Sequence, residues 1–493
     1  MKTLKRLYGF FNSSHGSLSD KVLRSAAWLG IGSVVVNTLV LVRSIILARL
    51  LLPEVFGLMT TAFMIMRLAN VFTQTGLNTA LIQRKESIED AKSTAFILTL
   101  LRGMLLYGVF YLFSPFISKF YGDPILETML KVLAITFIFS SALNINIITS
   151  KREVDFKTVS IYTQFSSIIS FIVTITMVYI KPDLWSLVIA QVICSFINML
   201  LSYYFFPIEK KFDFNFNIAK ELIQFGKYMT GISIATFLTT EIDNFTVGKV
   251  IGMEPLGYYI QAYTLANLPS THITSILGNI ITPAYSKLQG SLDLLVVAYL
   301  KVLRVISSIV IPAAFGLFFL ASDIILILYG ERWAPAILPL KVLCVFGLIR
   351  SVASTTGPLF IAIGKPNLVY RIQTYKLIFI CLLIYPLTRL YGIVGTSYAV
   401  MIPMVCEQFL LWSMIVKEFP LQLNSLFSAF RGPVCSSLIM LLYLHYVDPG
   451  DLSPMNLAFK VLSGAAVYGI AFLTLFYKDT KTIYRSFIKK RQL

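Results

Sequence analysis

Apolar segments of about 20 residues, the length of one bilayer crossing, recur along this chain from near residue 22 to near residue 477. No other feature limits the fold so tightly. Inside lipid every backbone N–H and C=O needs a partner, and a helix supplies its own. A succession of such segments therefore folds as a bundle of membrane-spanning helices. Periodicity alone does not separate them from buried helices of a soluble protein; length, number and loop charge do. Fourteen spans are expected. The first six cover 23–49, 55–82, 93–117, 126–149, 157–180 and 184–206. The next six cover 222–248, 256–285, 297–328, 336–362, 367–389 and 392–416, and the last two 426–447 and 455–477. Of 493 residues, 57% are hydrophobic and 13% charged, against about 25% charged in soluble domains. No stretch of ordinary soluble composition is long enough for a separate domain. The expected fold class is all-α, a polytopic membrane protein.

The formal charge of +18 is not gathered on one helix or tail with aromatics, so nucleic acid is not an expected partner. The cations recur in alternate loops. The side that holds both termini carries Lys2, Lys5, Arg6, Lys21, Lys85, Lys151, Arg152, Lys210, Lys211, Lys287, Lys365, Arg431 and the tail Lys489-Lys490-Arg491. The opposite loops carry little beyond Arg49, Lys119, Lys181, Lys249, Arg332 and Arg389. The positive-inside rule then places both termini in the cytoplasm. The outer loops are short and leave no room for an extra-membrane catalytic domain. The polar, basic start of the chain lacks a cleavable signal pattern, and Ser19 and Asp20 are candidate caps for the first span. Cys194, Cys344, Cys381, Cys406 and Cys435 lie in apolar segments at spacings that match no zinc or redox motif, which reads as reduced packing residues.

Two stretches of the chain resemble each other. The residues from Leu47 to Gly57, with Arg49, Pro53 and Glu54, are similar to those from Val247 to Gly257, with Lys249, Glu254 and Pro255, at a constant offset of 200. Tyr121-Gly122 matches Tyr329-Gly330, and Lys131-Val132-Leu133 matches Lys341-Val342-Leu343, as the offset drifts to 208 and 210. Spans one to six and seven to twelve read as two copies of one six-helix unit. Six is even, so the copies share orientation, which gives two parallel repeats around a central cavity. The expected division is 1–215, 216–418 and 419–493, the last holding two additional helices and a basic tail.

The motifs Ile46-Leu47-Ala48-Arg49-Leu50, Phe56-Gly57-Leu58 and Thr75-Gly76-Leu77-Asn78-Thr79-Ala80-Leu81-Ile82-Gln83-Arg84 resemble the opening of polysaccharide transporters of the Wzx flippase type. These belong to the multidrug/oligosaccharidyl-lipid/polysaccharide exporter superfamily. Thr282-Pro283-Ala284-Tyr285-Ser286, Tyr329-Gly330-Glu331-Arg332-Trp333 and Gly347-Leu348-Ile349-Arg350-Ser351 also resemble that group, nearest the branch of colanic acid and teichuronic acid exporters. The resemblance implies a flippase for undecaprenyl-diphosphate-linked oligosaccharide, serving surface polysaccharide synthesis at a bacterial cytoplasmic (inner) membrane. It implies no cofactor. The partners are lipid-linked oligosaccharide, membrane lipids, a coupling H+ or Na+ and an associated polysaccharide polymerase.

Ionisable residues deep in a span are costly and by default are functional candidates. The expected cations are Arg43, Arg67, Arg102, Arg304, Arg350 and Lys376, and the anions Glu241, Asp243 and Glu407. A lipid-linked sugar diphosphate suits the positive surplus, because arginine grips phosphate oxygens bidentately. Arg67 and Arg350 are too deep to snorkel; they line a hydrated cavity or form buried structural pairs. Arg43 is a further substrate-binding candidate. Arg304 and Lys376 lie near the cytoplasmic end and are expected to snorkel. Glu241 and Asp243, two apart on one helix, point to different faces; each is a candidate ion-coupling carboxylate or a salt-bridge partner. Arg49 and Lys249 end the first helix of each repeat. They either complement the helix dipole or flank an outer mouth that attracts the diphosphate. His272 reads as a neutral hydrogen-bonded side chain or a proton relay. Tyr228, Tyr258, Tyr259 and Tyr263 read as interfacial anchors or sugar-stacking faces.

Three functions compete. The transporter reading takes up the repeat and the cationic surplus. Cation-coupled multidrug efflux shares the plan, but cationic drugs suit a cationic interior poorly. A membrane glycosyl polymerase needs acid/base groups on a sizeable outer loop, and only scattered residues such as Asp123, Asp183, Asp448 and Asp451 stand there. The expectation is a transporter and not an enzyme. No Gly-rich phosphate loop of the ATP-binding type is present.

Overall fold

The computed structural model describes residues 18–73, Leu81, 88–152, 156–207, 213–447 and 451–476. Among them every regular element is a helix. Nine described helices are long and apolar enough to cross a membrane, and one of these, Pro366–Glu418, contains two of the expected spans. The helices of spans one, seven and eight, Leu18–Leu50, Phe216–Val250 and Met253–Ser286, run 33, 35 and 34 residues, well beyond the bilayer minimum. The basic start of the chain, most of motif 75–84, Lys85, Lys210, Lys211 and the basic tail lie outside the described residues. So do the side chains of Ser19, Asp20, Tyr228 and His272.

The chain divides into two compact units, Met1–Ile242 and Asp243–Leu493. Helix Phe216–Val250 runs through the point of division.

Repeat boundaries fall in register. The first helix of one repeat ends at Leu50 and the next begins at Pro53; in the other they end at Val250 and begin at Met253. Both connections close alike, with Leu51 N donating to Leu47 O at 2.8 Å and Ile251 N to Val247 O at 2.9 Å. Glu54 and Glu254 each sit in the following first turn, where a carboxylate complements the helix dipole. At the two Tyr-Gly pairs the glycines take left-handed conformations, Gly122 at φ 78° and Gly330 at φ 102°, which a residue with a Cβ adopts only under strain. Lys131 then lies 5.2 Å from the Tyr111 ring centroid and Lys341 5.9 Å from that of Phe318. A 3-10 turn, Glu331–Ala336, precedes helix Ile337–Ala362, whereas after Gly122 the helix Ile125–Leu133 starts almost at once. That extra turn lies in the interval where the offset drifts from 208 to 210.

In the first unit the fourth span is not one helix over 126–149. It is broken into Ile125–Leu133, Ile135–Ser141 and Asn146–Arg152. The break at Asn144 is tied to helix Leu184–Phe205 and the residues after it. Ser202 Oγ accepts from Asn144 N at 3.0 Å, Asn144 Nδ2 donates to Phe206 O at 2.9 Å, and Tyr203 OH donates to Ala142 O at 2.8 Å. Polar groups freed by the break are thus satisfied, as burial demands. Asp183 caps helix Leu184–Phe205, accepting from Ser186 N at 2.8 Å.

In the second unit the ninth span is also interrupted. Helix Leu292–Phe319 stops, and the chain continues as Ala321–Ile324 and a π-helical turn Ile325–Tyr329. Spans eleven and twelve are two helices within Pro366–Glu418 that meet at a kink at Gly392 (φ 60°, ψ −143°). The last two helices, Leu423–Tyr446 and Pro454–Leu475, are fixed to this unit. Lys460 Nζ lies 2.9 Å from Asp323 Oδ2, and Tyr468 OH donates to Ser308 O at 2.7 Å.

Candidate functional site

Four candidate cations of the membrane interior, Arg67, Arg102, Arg350 and Lys376, have side-chain partners among the described residues. In the first unit Arg67 is the fifteenth residue of helix Pro53–Thr73, about 21 Å along it at 1.5 Å per residue. Its Nη2 lies 2.9 Å from Glu241 Oε1 and 3.0 Å from Oε2. The Arg67 side chain is 49% exposed and that of Glu241 14%, so the cation is both paired and open. The two readings from sequence, a pair or a lining residue, are not exclusive here.

One turn further along the same helix, Asn70 and Thr73 hold Arg102. Its Nη2 donates to Asn70 Oδ1 at 2.7 Å and its Nε to Thr73 Oγ1 at 3.0 Å. Both partners are neutral. Arg43, partly buried on the first span, has no hydrogen-bond partner or carboxylate among the described residues. Arg49 and Lys249 are exposed in the last turns of their helices.

In the second unit Arg350, on helix Ile337–Ala362, donates through Nη1 to Tyr263 OH and to Asn267 Oδ1, each at 3.1 Å. Asn267 Nδ2 donates to Tyr263 O at 2.9 Å, which fixes which amide atom faces the arginine. The close approach of the two helices is enforced at Gly347, where an added Cβ would lie 2.4 Å from Ala266 O. Asp243 is buried; its Oδ2 accepts from Tyr259 OH at 2.8 Å and its Oδ1 from Asn244 N at 2.8 Å. The carboxylates of Glu241 and Asp243 therefore face different neighbours, as their spacing requires.

Lys376 does not snorkel. It is 12% exposed, and its Nζ stands 2.9 Å from Glu407 Oε2, itself 5% exposed. The fold at Gly392 brings these two positions together. They meet at ion-pair distance without hydrogen-bond alignment. Arg304 is partly exposed on helix Leu292–Phe319, with no carboxylate or hydrogen-bond partner among the described residues. A surface cavity of about 470 Å³ in the second unit is lined by Gln289, Leu292, Ala362, Lys365 and Glu418 and includes none of the candidate residues.

Sequence reasoning missed the neutral residues that hold the guanidinium groups: Asn70, Thr73, Tyr263 and Asn267. One signal was available. Tyr259, Tyr263 and Asn267 recur every four residues on one helix face, and all three bind charged groups.

A family model described as polysaccharide biosynthesis protein matches residues 46–338. The lipopolysaccharide biosynthesis protein WzxC of Escherichia coli (strain K12) is 25% identical over 403 residues, covering 81% of this chain and 82% of that protein. The teichuronic acid biosynthesis protein TuaB of Bacillus subtilis (strain 168) is 23% identical over 475 residues, covering 94% and 98%. Among solved structures, the lipid II flippase MurJ in an inward closed conformation superposes with a TM-score of 0.75 at 19% identity, covering 91% of this chain and 98% of that one. At that identity the likeness speaks for the fold.

Proposed function

The chain belongs to the polysaccharide biosynthesis protein family, and on that premise we propose that it is a flippase for undecaprenyl-diphosphate-linked oligosaccharide. It delivers repeat units across a bacterial inner membrane for surface polysaccharide synthesis. Both termini are cytoplasmic, and the lobes 1–215 and 216–418 carry the transport cycle, with 419–493 attached. The observation that supports this most is the state of Arg350. A guanidinium deep in a span is costly, and this one is held by neutral groups, so its charge is left for an anionic ligand.

In this reading Arg67 and Arg350 meet the diphosphate, and Arg43 adds positive potential along the first span. A diphosphate brings two anionic groups, and each guanidinium fork matches phosphate oxygens. Arg49 and Lys249 attract the headgroup at the outer mouth. Glu241 and Asp243 carry the coupling H+ or Na+, and a polysaccharide polymerase receives the product.

The test is genetic. Deleting the gene in its host should remove the surface polysaccharide and leave lipid-linked repeat units on the cytoplasmic leaflet. Arg67→Ala or Arg350→Ala, inserted at normal levels, should reproduce that phenotype. Normal export from the deletion strain would overturn the assignment.

A further inference from the structure

Arg350 is presented to its surroundings in a defined way. Its Nη1 spends both hydrogens on Tyr263 OH and Asn267 Oδ1. Its Nε and Nη2 donate to none of the described residues. That leaves the two-donor edge of the guanidinium, which fits two oxygens of one phosphate. The holders are themselves held. Asn267 Nδ2 is bonded to Tyr263 O. The Tyr263 ring lies 6.0 Å from Tyr259 and 5.8 Å from Phe346, and the Tyr259 hydroxyl is bonded to Asp243.

The repeat gives this arrangement a meaning. Asn267 is the fifteenth residue of helix Met253–Ser286, as Arg67 is the fifteenth of helix Pro53–Thr73. The first repeat carries a guanidinium at that register on its own second helix. The second repeat has an asparagine there, and a guanidinium reaches it from helix Ile337–Ala362. Each repeat thus presents one arginine head at the fifteenth position of its second helix, by different routes.

We infer that Tyr263 and Asn267 are positioning residues that aim the open edge of Arg350 at a phosphate of the transported lipid, restoring in the second repeat the cation that Arg67 supplies in the first. The inference rests on the diphosphate reading above. Neither residue adds charge. Their contribution is orientation, so they set how well a phosphate is gripped and leave the net charge of the site unchanged.

The test uses the full chain, purified in detergent, with geranylgeranyl diphosphate and geranylgeranyl monophosphate as probes in titration calorimetry. Arg350→Ala should weaken diphosphate binding by about tenfold or more, the scale of one hydrogen bond to a charged group. Tyr263→Phe removes one hydroxyl and should weaken it by about three- to tenfold while Arg350 keeps its charge. The double variant Asn267→Arg with Arg350→Ala moves the guanidinium to the register of Arg67. It should recover binding to within about fivefold of wild type, on the scale of a modest orientation loss. A purely structural role for Arg350 gives no such recovery.

Size-exclusion profiles identify variants that fold. If Arg350→Ala loses binding but Tyr263→Phe binds as wild type, the positioning role is overturned and the diphosphate site stands. A folded double variant that recovers nothing has the same meaning. If Arg350→Ala binds as wild type, the diphosphate reading fails and the inference falls with it.

Discussion

Arg67 and Glu241, 174 residues apart in sequence, meet through a single guanidinium nitrogen, Nη2, which lies within 3.0 Å of both carboxylate oxygens. The remaining nitrogens of Arg67 stay available on a side chain that is half open. With its arginine half open, the pair contributes about 1 kcal/mol to stability. Glu241→Gln should therefore leave the melting temperature in detergent almost unchanged. Transport should instead lose its dependence on a proton or sodium gradient. If gradient dependence persists in Glu241→Gln, the carboxylate has no coupling role. Arg67→Lys, which keeps the charge and loses the fork, should transport better than Arg67→Ala; equal loss in both would point to geometry alone.

Lys376 and Glu407 call for the opposite expectation. Glu407 is buried and Lys376 nearly so, at 12% exposed, so removing one partner strands a charge in a medium that solvates it poorly. Lys376→Met or Glu407→Leu alone should cost about 3–5 kcal/mol, read by thermal unfolding in detergent. The double variant should regain most of that loss, because well-packed apolar residues often replace a buried ion pair without penalty. Additive destabilisation in the double variant would mean that the pair is not coupled.

The contrast between these two pairs shows where the sequence was informative. The membrane-spanning helical class was readable from apolar length, with nine such helices among the described residues, and the repeat located both first-helix ends, at Leu50 and Val250, because Gly, Pro and Glu mark the turns. The broken fourth span was not readable. Its interruption depends on Ser202 and Phe206, some sixty residues away. The candidate charges were visible as costly residues in apolar surroundings. Their partners were not, since Arg350 and Tyr263 lie 87 residues apart and no local pattern joins them. Lys376 was misplaced at the membrane surface because the fold at Gly392, which sets it against Glu407, leaves no periodic signal.

Gly347 holds the helices of Tyr263 and Arg350 in contact. A Cβ there would lie 2.4 Å from the Ala266 carbonyl oxygen, a separation that backbone must relieve by moving. Gly347→Ala should cost about 1–3 kcal/mol, the usual range for overpacking. It should also reduce transport by spoiling the Arg350 contacts. Gly357→Ala on the same helix meets open space and serves as the control. Equal transport in the two variants would contradict this account.

Orientation is open to direct measurement. Reporter fusions at Asp123 and Asp451 should read as external, and a fusion at Lys151 as cytoplasmic, because cations concentrate in the loops on the side of the termini. The reverse pattern would invert the proposed direction of entry for the lipid.

The central claim concerns the cargo, and transbilayer movement of that cargo is the most direct measurement. The purified chain is reconstituted into liposomes with a fluorescent undecaprenyl-diphosphate-linked oligosaccharide on both leaflets. A membrane-impermeant quencher then reports how fast inner-leaflet molecules reach the outside. The account predicts that the wild type makes nearly all of the label accessible, while protein-free liposomes and the Arg350→Ala variant stop at about half, the share of one leaflet. Accessibility that stays at the protein-free level with the wild-type chain, under an imposed proton or sodium gradient of either direction, would contradict it.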